Sequence, residues 1–513
     1  MLNPSEISLT VVIVLAALAI LGWGFWRARP FGKLGILAWL QSVVLMTPWL
    51  LFFGLFSLGI YLNLAGILFL LLASAGLYIY LGRQLRAAGQ DAALQERIAA
   101  KLQEMEAENS TPAAPSAEKP NPTATPKAVP EAEKPNPTAT PEAVSAMPAE
   151  DIKAIQGIFG IDTFFATETI PYQDGAIFKG NLRGEPEAVH ASLSASMQQR
   201  VGDRYRLFLL NSPEERPTVV VLPSHNEPQP MTVPQRVLAV VLALATLATS
   251  LETGGLLLRF DIFNEPTRYQ EALPVAVGIW AVLIAHELGH FLWAKRHNIR
   301  LSWPFFLPTW QIGSFGALTR FESLLPNRQV LFDISLAGPA AGGILSLAML
   351  LLGLLLSHPG SYFQVPSQFF QGSILVGTLA KVVLGNAVQQ PLVDVHPLTI
   401  IGWLGLVITA LNLMPAGQLD GGRIVQAIYG RKIAGRTTVA TIIVLAIASL
   451  ANPLALYWAI LILFLQRDLE RPSLNELTEP DDARAALGLL ALFLMVVTLI
   501  PLTPSVAGRL GIG

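Results

Sequence analysis

His286-Glu287-Leu288-Gly289-His290 stands inside an apolar run from Leu273 to Trp293, and a second polar cluster, Asn412-Leu413-Met414-Pro415-Ala416-Gly417-Gln418-Leu419-Asp420-Gly421-Gly422, ends a later apolar run. On a helix His286 and His290 are i and i+4, so both imidazoles project from one face about one turn apart, as two ligands of a tetrahedral Zn²⁺ require. Glu287 sits beside the first ligand, where a carboxylate serves as proton acceptor for the attacking water and leaves the metal alone. Two histidines and a glutamate in a spanning helix are costly unless they face a cavity, a metal or a partner. The bland reading is a pair of histidines hydrogen-bonded to neighbouring helices.

Asp420 weakens that bland reading. Its carboxylate would complete three protein ligands and leave the fourth position open, the coordination of a catalytic rather than a structural zinc. Pro415 is expected to break the preceding helix near its end, with Asp420 closing that helix. Gly417, Gly421 and Gly422 would let irregular backbone approach the metal, which is tolerated at membrane depth only around a cavity.

Composition puts the whole chain in the membrane class. Of 513 residues, 52% are hydrophobic and only 14% charged, and the mean hydropathy is +0.50. Several runs reach the ~20 residues that a helix needs to cross a hydrocarbon core. The net charge of −2 gives no sign of a nucleic-acid partner. Cysteine is absent, so disulfides and thiolate metal sites are excluded and any zinc must be held by His and carboxylate ligands.

Five segments follow from the pattern: an amino-terminal transmembrane block (1–82), a polar helix (83–109), a linker (110–148), a soluble α/β domain (149–235) and a membrane block (236–513). In the first, Ile7 to Trp26 is one span, and Leu34 to Leu81 is long enough for two more. Ile7 to Trp26 is read as a retained anchor and not a signal peptide, because Glu6 stands where a basic cluster would be expected. In the linker, Glu118-Lys119-Pro120-Asn121-Pro122-Thr123-Ala124-Thr125-Pro126 recurs from Glu133 to Pro141, a tandem repeat suited to a disordered tether.

In the soluble segment, Asp151 to Phe159 and Pro186 to Val201 have helical patterning. Tyr205 to Leu210 and Thr218 to Leu222 read as strands joined by a hairpin-like loop. Gly180-Asn181-Leu182-Arg183-Gly184 is a turn by residue type, and His190 and His225, lacking ligand spacing, read as solvent-facing. The membrane block should carry spans near Val237 to Leu251, Leu273 to Trp293, Val330 to Leu356, Leu398 to Met414, Thr438 to Leu450, Leu454 to Leu465 and Ala486 to Leu502. Arg216, Arg236, Lys295, Arg296, Arg300, Arg328, Arg423, Arg431, Lys432, Arg436, Arg467 and Arg471 then fall on one side, which the positive-inside rule makes cytoplasmic or its equivalent. His286 precedes Lys295 by nine residues, about 13 Å at ~1.5 Å per residue, so the metal site would be shallow. His358 and His396 fall on the other side and are excluded as ligands.

The pair His286-Glu287-x-x-His290 and Asn412-x-x-Pro415-x-x-x-Leu419-Asp420-Gly421 resembles the site-2 protease family of intramembrane zinc metalloproteases, from about Arg236 onward. Gly313-Ser314-Phe315-Gly316-Ala317 looks like that family's membrane hairpin, and Ser335-Leu336-Ala337-Gly338-Pro339-Ala340-Ala341-Gly342 like its small-residue helix. With Gly180 to Gly184 these suggest the chloroplast and cyanobacterial subgroup, the ethylene-dependent gravitropism-deficient and yellow-green proteases. The resemblance implies a mostly α, polytopic transmembrane helical bundle with a re-entrant membrane hairpin, plus the small soluble α/β domain. It implies that His286, His290 and Asp420 bind Zn²⁺, that Glu287 is the general base and later the acid, and that transmembrane proteins within the lipid bilayer are the substrates.

Asn412 is read in two ways of equal standing: a hydrogen-bond donor to the substrate backbone or oxyanion, or an intramembrane amide that holds a neighbouring helix. Gly313 to Thr319 is too short and polar to span, which suits a hairpin whose edge pairs with an unwound substrate strand. Gly338, Gly342 and Gly343 need only close helix packing. Two other classes compete: a metal or solute transporter, which would spread polar residues along a pathway, and a catalytically idle scaffold of the same fold. An amino terminus neither Arg-rich nor Ser-rich fits a multi-pass protein of a cyanobacterial inner or thylakoid membrane better than a chloroplast import product.

Overall fold

The computed structural model describes residues 147–172, 174–212, 216–450, 452–466 and 468–512, with 22, 24–26, 28, 29, 35–44, 47, 51, 74, 76–78, 80–82, 84 and 85 of the amino-terminal block. Most of the three amino-terminal spans, the polar helix from 86 and the repeat linker lie outside the described residues, as does 213–215 of the β-hairpin loop. Contacts divide the chain into two units, one of 142–444 with 459–513 and one of 1–141 with 445–458. In the latter, 35–44 is helical, and Leu37, Val44 and Leu81 pack together.

The larger unit begins with α1 (Ala149–Gln156), β1 (Phe164–Tyr172), β2 (Gly175–Leu182), α2 (Pro186–Val201), β3 (Tyr205–Asn211) and β4 (Pro217–Pro223). The strands form one sheet in the order β1-β2-β4-β3, every neighbour antiparallel. Since β2 and β3 flank β4, they run parallel to each other, and α2 makes the crossover between them. Ala176, Phe178, Leu207, Leu209, Val219 and Val221 alternate along the strands onto one face, where they meet Ile155 of α1 and Val189, Leu193 and Met197, which recur at i+4 along α2.

Three sequence expectations change here. β1 and β2 were not foreseen. Gly180-Asn181-Leu182 belongs to β2 instead of a turn, because a side chain at Gly180 would strike the Phe165 carbonyl 2.2 Å away; only Gly184, at φ +97°, has turn geometry. His190 is half-buried, its Nε2 3.2 Å from the Leu207 carbonyl, whereas His225 is exposed beside Asp174.

Among the described residues, four helices are long and apolar enough to cross a membrane: Val233–Leu257, Pro266–Arg296, Arg328–Leu356 and Asp482–Leu499. The first, α3, starts where Gln235 accepts from the Thr232 amide at 3.0 Å and Pro234 takes a position that needs no donor. α4 (Tyr269–Arg296) follows, then a hairpin of β5 (Phe305–Thr309) and β6 (Gly313–Leu318), then α5 (Arg328–Leu356), capped by Asn327. Next come a short hairpin of β7 (Phe363–Pro366) and β8 (Leu392–Val395) enclosing α6 (Ile374–Leu384), then α7 (Pro397–Asn412), α8 (Asp420–Ala448), α9 (Pro453–Leu461), α10 (Asp482–Leu499) and α11 (Pro504–Leu510). The β7 to β8 layer and α11 were not read from sequence; Phe363, Val365, Phe370, Val393, Val395 and Leu502 are buried in the same core as Leu350 and Leu354 of α5 and Ile400 and Ile401 of α7. Gly430, at φ 79°, breaks α8 into two helices.

Inside a membrane the hydrophobic effect does not press helices together, so close packing of small residues must do it. At the α5 to α7 crossing, a side chain at Gly353 would lie 2.2 Å from the Thr399 nitrogen, and one at Gly402 2.3 Å from the Leu350 nitrogen. A strap from Glu470 to Glu476 ties this bundle to the sheet. The Leu209 amide donates to Leu474 at 2.8 Å and the Glu476 amide to Leu209 at 2.9 Å, while the Leu474 and Asn475 amides reach Leu325 and Pro326 at 2.8 and 3.0 Å.

Gly402→Leu should overpack the crossing and destabilise the folded protein by about 1–3 kcal/mol, read as a lower thermal midpoint in detergent. A second prediction concerns Asp151. Burial alone would raise its pKa, but Arg204 (2.8 Å to each oxygen) and the Tyr205 hydroxyl (2.7 Å) hold it below 3.8, and burial and Asp151 together push Tyr205 up to about 12. A depressed carboxylate stabilises the fold above its unfolded pKa, and this is lost as pH falls through the folded value. Asp151→Asn should therefore weaken hydrogen-exchange protection in α1 and β3 at neutral pH, by on the order of 1–2 kcal/mol, and make little difference in strong acid.

Candidate metal centre

His286 and His290 lie on one face of α4, near its carboxyl end, and both are buried. Asp420 is buried as well, in the first turn of α8. The sequence reading placed Asp420 at the close of the preceding helix; α7 in fact ends at Asn412, and the turn through Pro415 and Gly417 lets a new helix start on the aspartate. At two positions around that turn only glycine fits. A side chain at Gly417 would sit 1.4 Å from the Gln466 carbonyl, and one at Gly421 1.9 Å from the Leu413 carbonyl. The amino end of α8 also carries partial positive charge, which favours an ionised carboxylate there.

Three ligand atoms converge. His286 Nε2 stands 3.1 Å from Asp420 Oδ2 and 3.1 Å from His290 Nε2, and His290 Nε2 stands 3.3 Å from Asp420 Oδ2. Donors of a tetrahedral zinc, each ~2.0–2.2 Å from the metal, are spaced ~3.3–3.5 Å apart, so this triangle is close to one face of such a site. The Ile334 carbonyl, 2.8 Å from His290 Nδ1, can only accept, so Nδ1 carries the proton and Nε2 keeps its lone pair for the metal. Among the described residues, these three form the one group of His and carboxylate side chains able to hold a metal ion. The donor set and its spacing fit Zn²⁺.

Helix α5 makes room for the histidines. A side chain at Gly338 would lie 2.2 Å from His290 Nε2, one at Gly342 3.1 Å from His286 Cβ, and one at Gly289 2.4 Å from the Ala337 carbonyl. Close packing was expected of Gly338; its position against a ligand nitrogen was not.

Glu287 is half-buried and accepts from the Thr319 hydroxyl at 2.7 Å, at the end of β6. Asn412 is buried, its Nδ2 donating to Ile408 at 3.0 Å and to Phe315 of the hairpin at 3.3 Å. Gly316, at φ +99°, leaves space for that amide, since a side chain there would lie 2.2 Å from Nδ2. The opposite side of the hairpin is tied to α3, where Thr249 donates to the Gly313 carbonyl at 2.6 Å. A cavity of about 20 Å³ is lined by His290, Asp420, Asn412, Thr319 and Arg423 among others, enough for one water molecule.

Arg423, Thr319 and Glu470 escaped the sequence reading, which counted Arg423 only as a basic flank. The available signal was its spacing of three from Asp420, which places both on one helix face. His396 caps α7 at the end opposite Asn412, and His358 follows the far end of α5, so neither reaches the ligand triangle.

Comparison with known proteins agrees with this geometry. Residues 153–230 match the EGY3 middle domain, and residues 274–451 match peptidase family M50. The probable zinc metalloprotease EGY2, chloroplastic, of Arabidopsis thaliana is 40% identical over 363 residues, 69% of this chain and 65% of its own length. The probable zinc metalloprotease EGY1 of the same plant is 39% identical over 401 residues, 71% of this chain and 73% of its own. EGY3 of Oryza sativa subsp. indica is 31% identical, over 69% of this chain and 64% of its own. The chain thus spans roughly two thirds of the length of these relatives, and no solved structure matches it. The ligand triangle on α4 and α8 lies within the segment matched to M50, and the similarity to EGY1 extends over most of both chains, so the chain belongs to the EGY group of peptidase family M50, the site-2 protease family.

Proposed function

We propose that this protein is an intramembrane zinc metalloendopeptidase that hydrolyses peptide bonds of transmembrane substrate proteins. The convergence of His286, His290 and Asp420, with Glu287 on the next position of the same helix, carries the reading. When bound, Zn²⁺ supplies Lewis acidity toward a carbonyl oxygen and lowers the pKa of water. Glu287, oriented by the Thr319 hydroxyl, takes the proton as the water oxygen bonds to the scissile carbonyl carbon. It then returns that proton to the amide nitrogen as the C–N bond breaks. Asn412 Nδ2, at the cavity wall, offers a neutral amide to the substrate backbone or the developing oxyanion, at the cost of its bond to Phe315.

Substrate reaches the metal as an extended strand, because a helical peptide bond is shielded by its own hydrogen bonds. In this reading the β5–β6 hairpin is re-entrant, dipping into the membrane so that its edge pairs with the unwound substrate. The four long apolar helices support a multi-pass membrane protein, and the chloroplastic relatives point to a thylakoid-type or inner membrane of a plastid or cyanobacterium. Polar residues concentrated at one end of the bundle suit hydrolysis better than a transport pathway through it.

Metal analysis and cleavage of a reconstituted single-span substrate test this. Wild type should hold about one zinc and cleave; Glu287→Gln should keep zinc while losing on the order of 10²–10⁴ in rate; Asp420→Ala should lose both. A wild type without stoichiometric zinc, or a Glu287→Gln that cleaves normally, would leave the transporter or the idle scaffold in its place. Gly338→Ala removes no ligand, yet its methyl group should displace the His290 ring and lower zinc affinity at least about tenfold, measured by competition with a chelator.

A further inference from the structure

Arg423 is 6% exposed and touches three separate elements around the cavity. Its Nη2 donates to the Thr319 carbonyl at 2.8 Å. Nε and Nη2 grip Glu470 Oε2 at 2.9 and 2.8 Å, and Nη1 stands 4.0 Å from Asp420 Oδ1. The guanidinium lies over the Phe321 ring, 4.7 Å from its centroid. Burying a guanidinium is costly, and a bundle held by glycine contacts has no packing need for one here. What these contacts share is Thr319: its carbonyl is held by Arg423, and its hydroxyl orients Glu287.

We propose that Arg423 is a positioning residue of the hydrolytic step, fixing the hairpin end that aims Glu287 and standing guard on the free oxygen of Asp420, with Glu470 as its anchor. This rests on the protease reading above. Glu470 is itself tied down: its Oε1 accepts from the Arg471 amide at 3.1 Å, and its carbonyl accepts from Gln426 at 3.2 Å and from Arg431. Four residues on, the strap joins the edge of β3 through Leu474. The aim of the base is therefore built from two planar guanidinium contacts and one hydroxyl, a geometry that lysine reproduces in charge but not in fork. A base displaced by about 1 Å costs on the order of 10²-fold in rate.

The test uses the full chain in proteoliposomes with a single-span substrate, and reads zinc content, kcat and KM separately. Arg423→Gln should keep its zinc and near-normal KM while kcat falls about 10²-fold, and Arg423→Lys should recover only part of it. Thr319→Val should lose kcat in the same way, and Thr319→Ser should recover most of what Thr319→Val loses. If Arg423→Gln does not fold, the Thr319 pair decides alone. Wild-type kcat in Arg423→Gln or Thr319→Val, or a loss fully explained by lower zinc content, overturns the inference and leaves the protease reading intact. A wild type that cleaves nothing removes both together.

Discussion

Everything at the candidate centre depends on two helices presenting three lone pairs to one point. Two imidazole nitrogens and a carboxylate oxygen within 3.3 Å of one another repel unless a cation or a proton lies among them. The fold holds them there by means that have nothing to do with the metal itself. The Ile334 carbonyl fixes the His290 tautomer, glycines on α5 leave room for the rings, and the Pro415 to Leu419 turn restarts the chain so that Asp420 enters at a helix amino end. Such a centre is preorganised, and the helices that build it, α4, α5 and α8, are separated by long stretches of sequence.

The β5–β6 hairpin is the second organising element. It is pinned on one side to α3 through Thr249 and on the other to α7 through Asn412, and its end carries Thr319 to Glu287. A short hairpin packed among helices needs its amides and carbonyls satisfied by protein, and the Thr249 hydroxyl of α3 supplies one such partner. Of the buried hydroxyls on α3, that of Thr249 reaches the hairpin, while those of Ser250 and Thr253 donate to carbonyls of their own helix.

The candidate ligand group was legible in the sequence because its two halves are local: His286, Glu287 and His290 share one helical turn, and Asn412 to Asp420 is one contiguous motif. The long helices were legible because twenty apolar residues permit few other structures. Strands β1 and β2 were not. β1 is an edge strand with a single fully buried residue, Phe164, so it carries almost no alternation, and β2 is built on small residues that only its neighbours make necessary. The β7–β8 layer escaped for a similar reason, being short apolar fragments separated by Gln, Ser and Pro. Thr319, Arg423 and Glu470 are ordinary residues in the linear chain, and become informative only when folding brings together positions 32 to 104 residues apart, as the long-range bonds of Thr319 to Glu287 and of Arg423 to the Thr319 carbonyl illustrate.

The close contact of α4 with α5 at Gly289 and Gly338 makes metal affinity a gauge of helix spacing. By linkage, whatever prises these helices apart must weaken the hold on the metal, and a bound metal must resist the prising to the same degree. Anything that separated α4 from α5 would thus move Gly338 away from the His290 ring and loosen the ligand triangle at the same time.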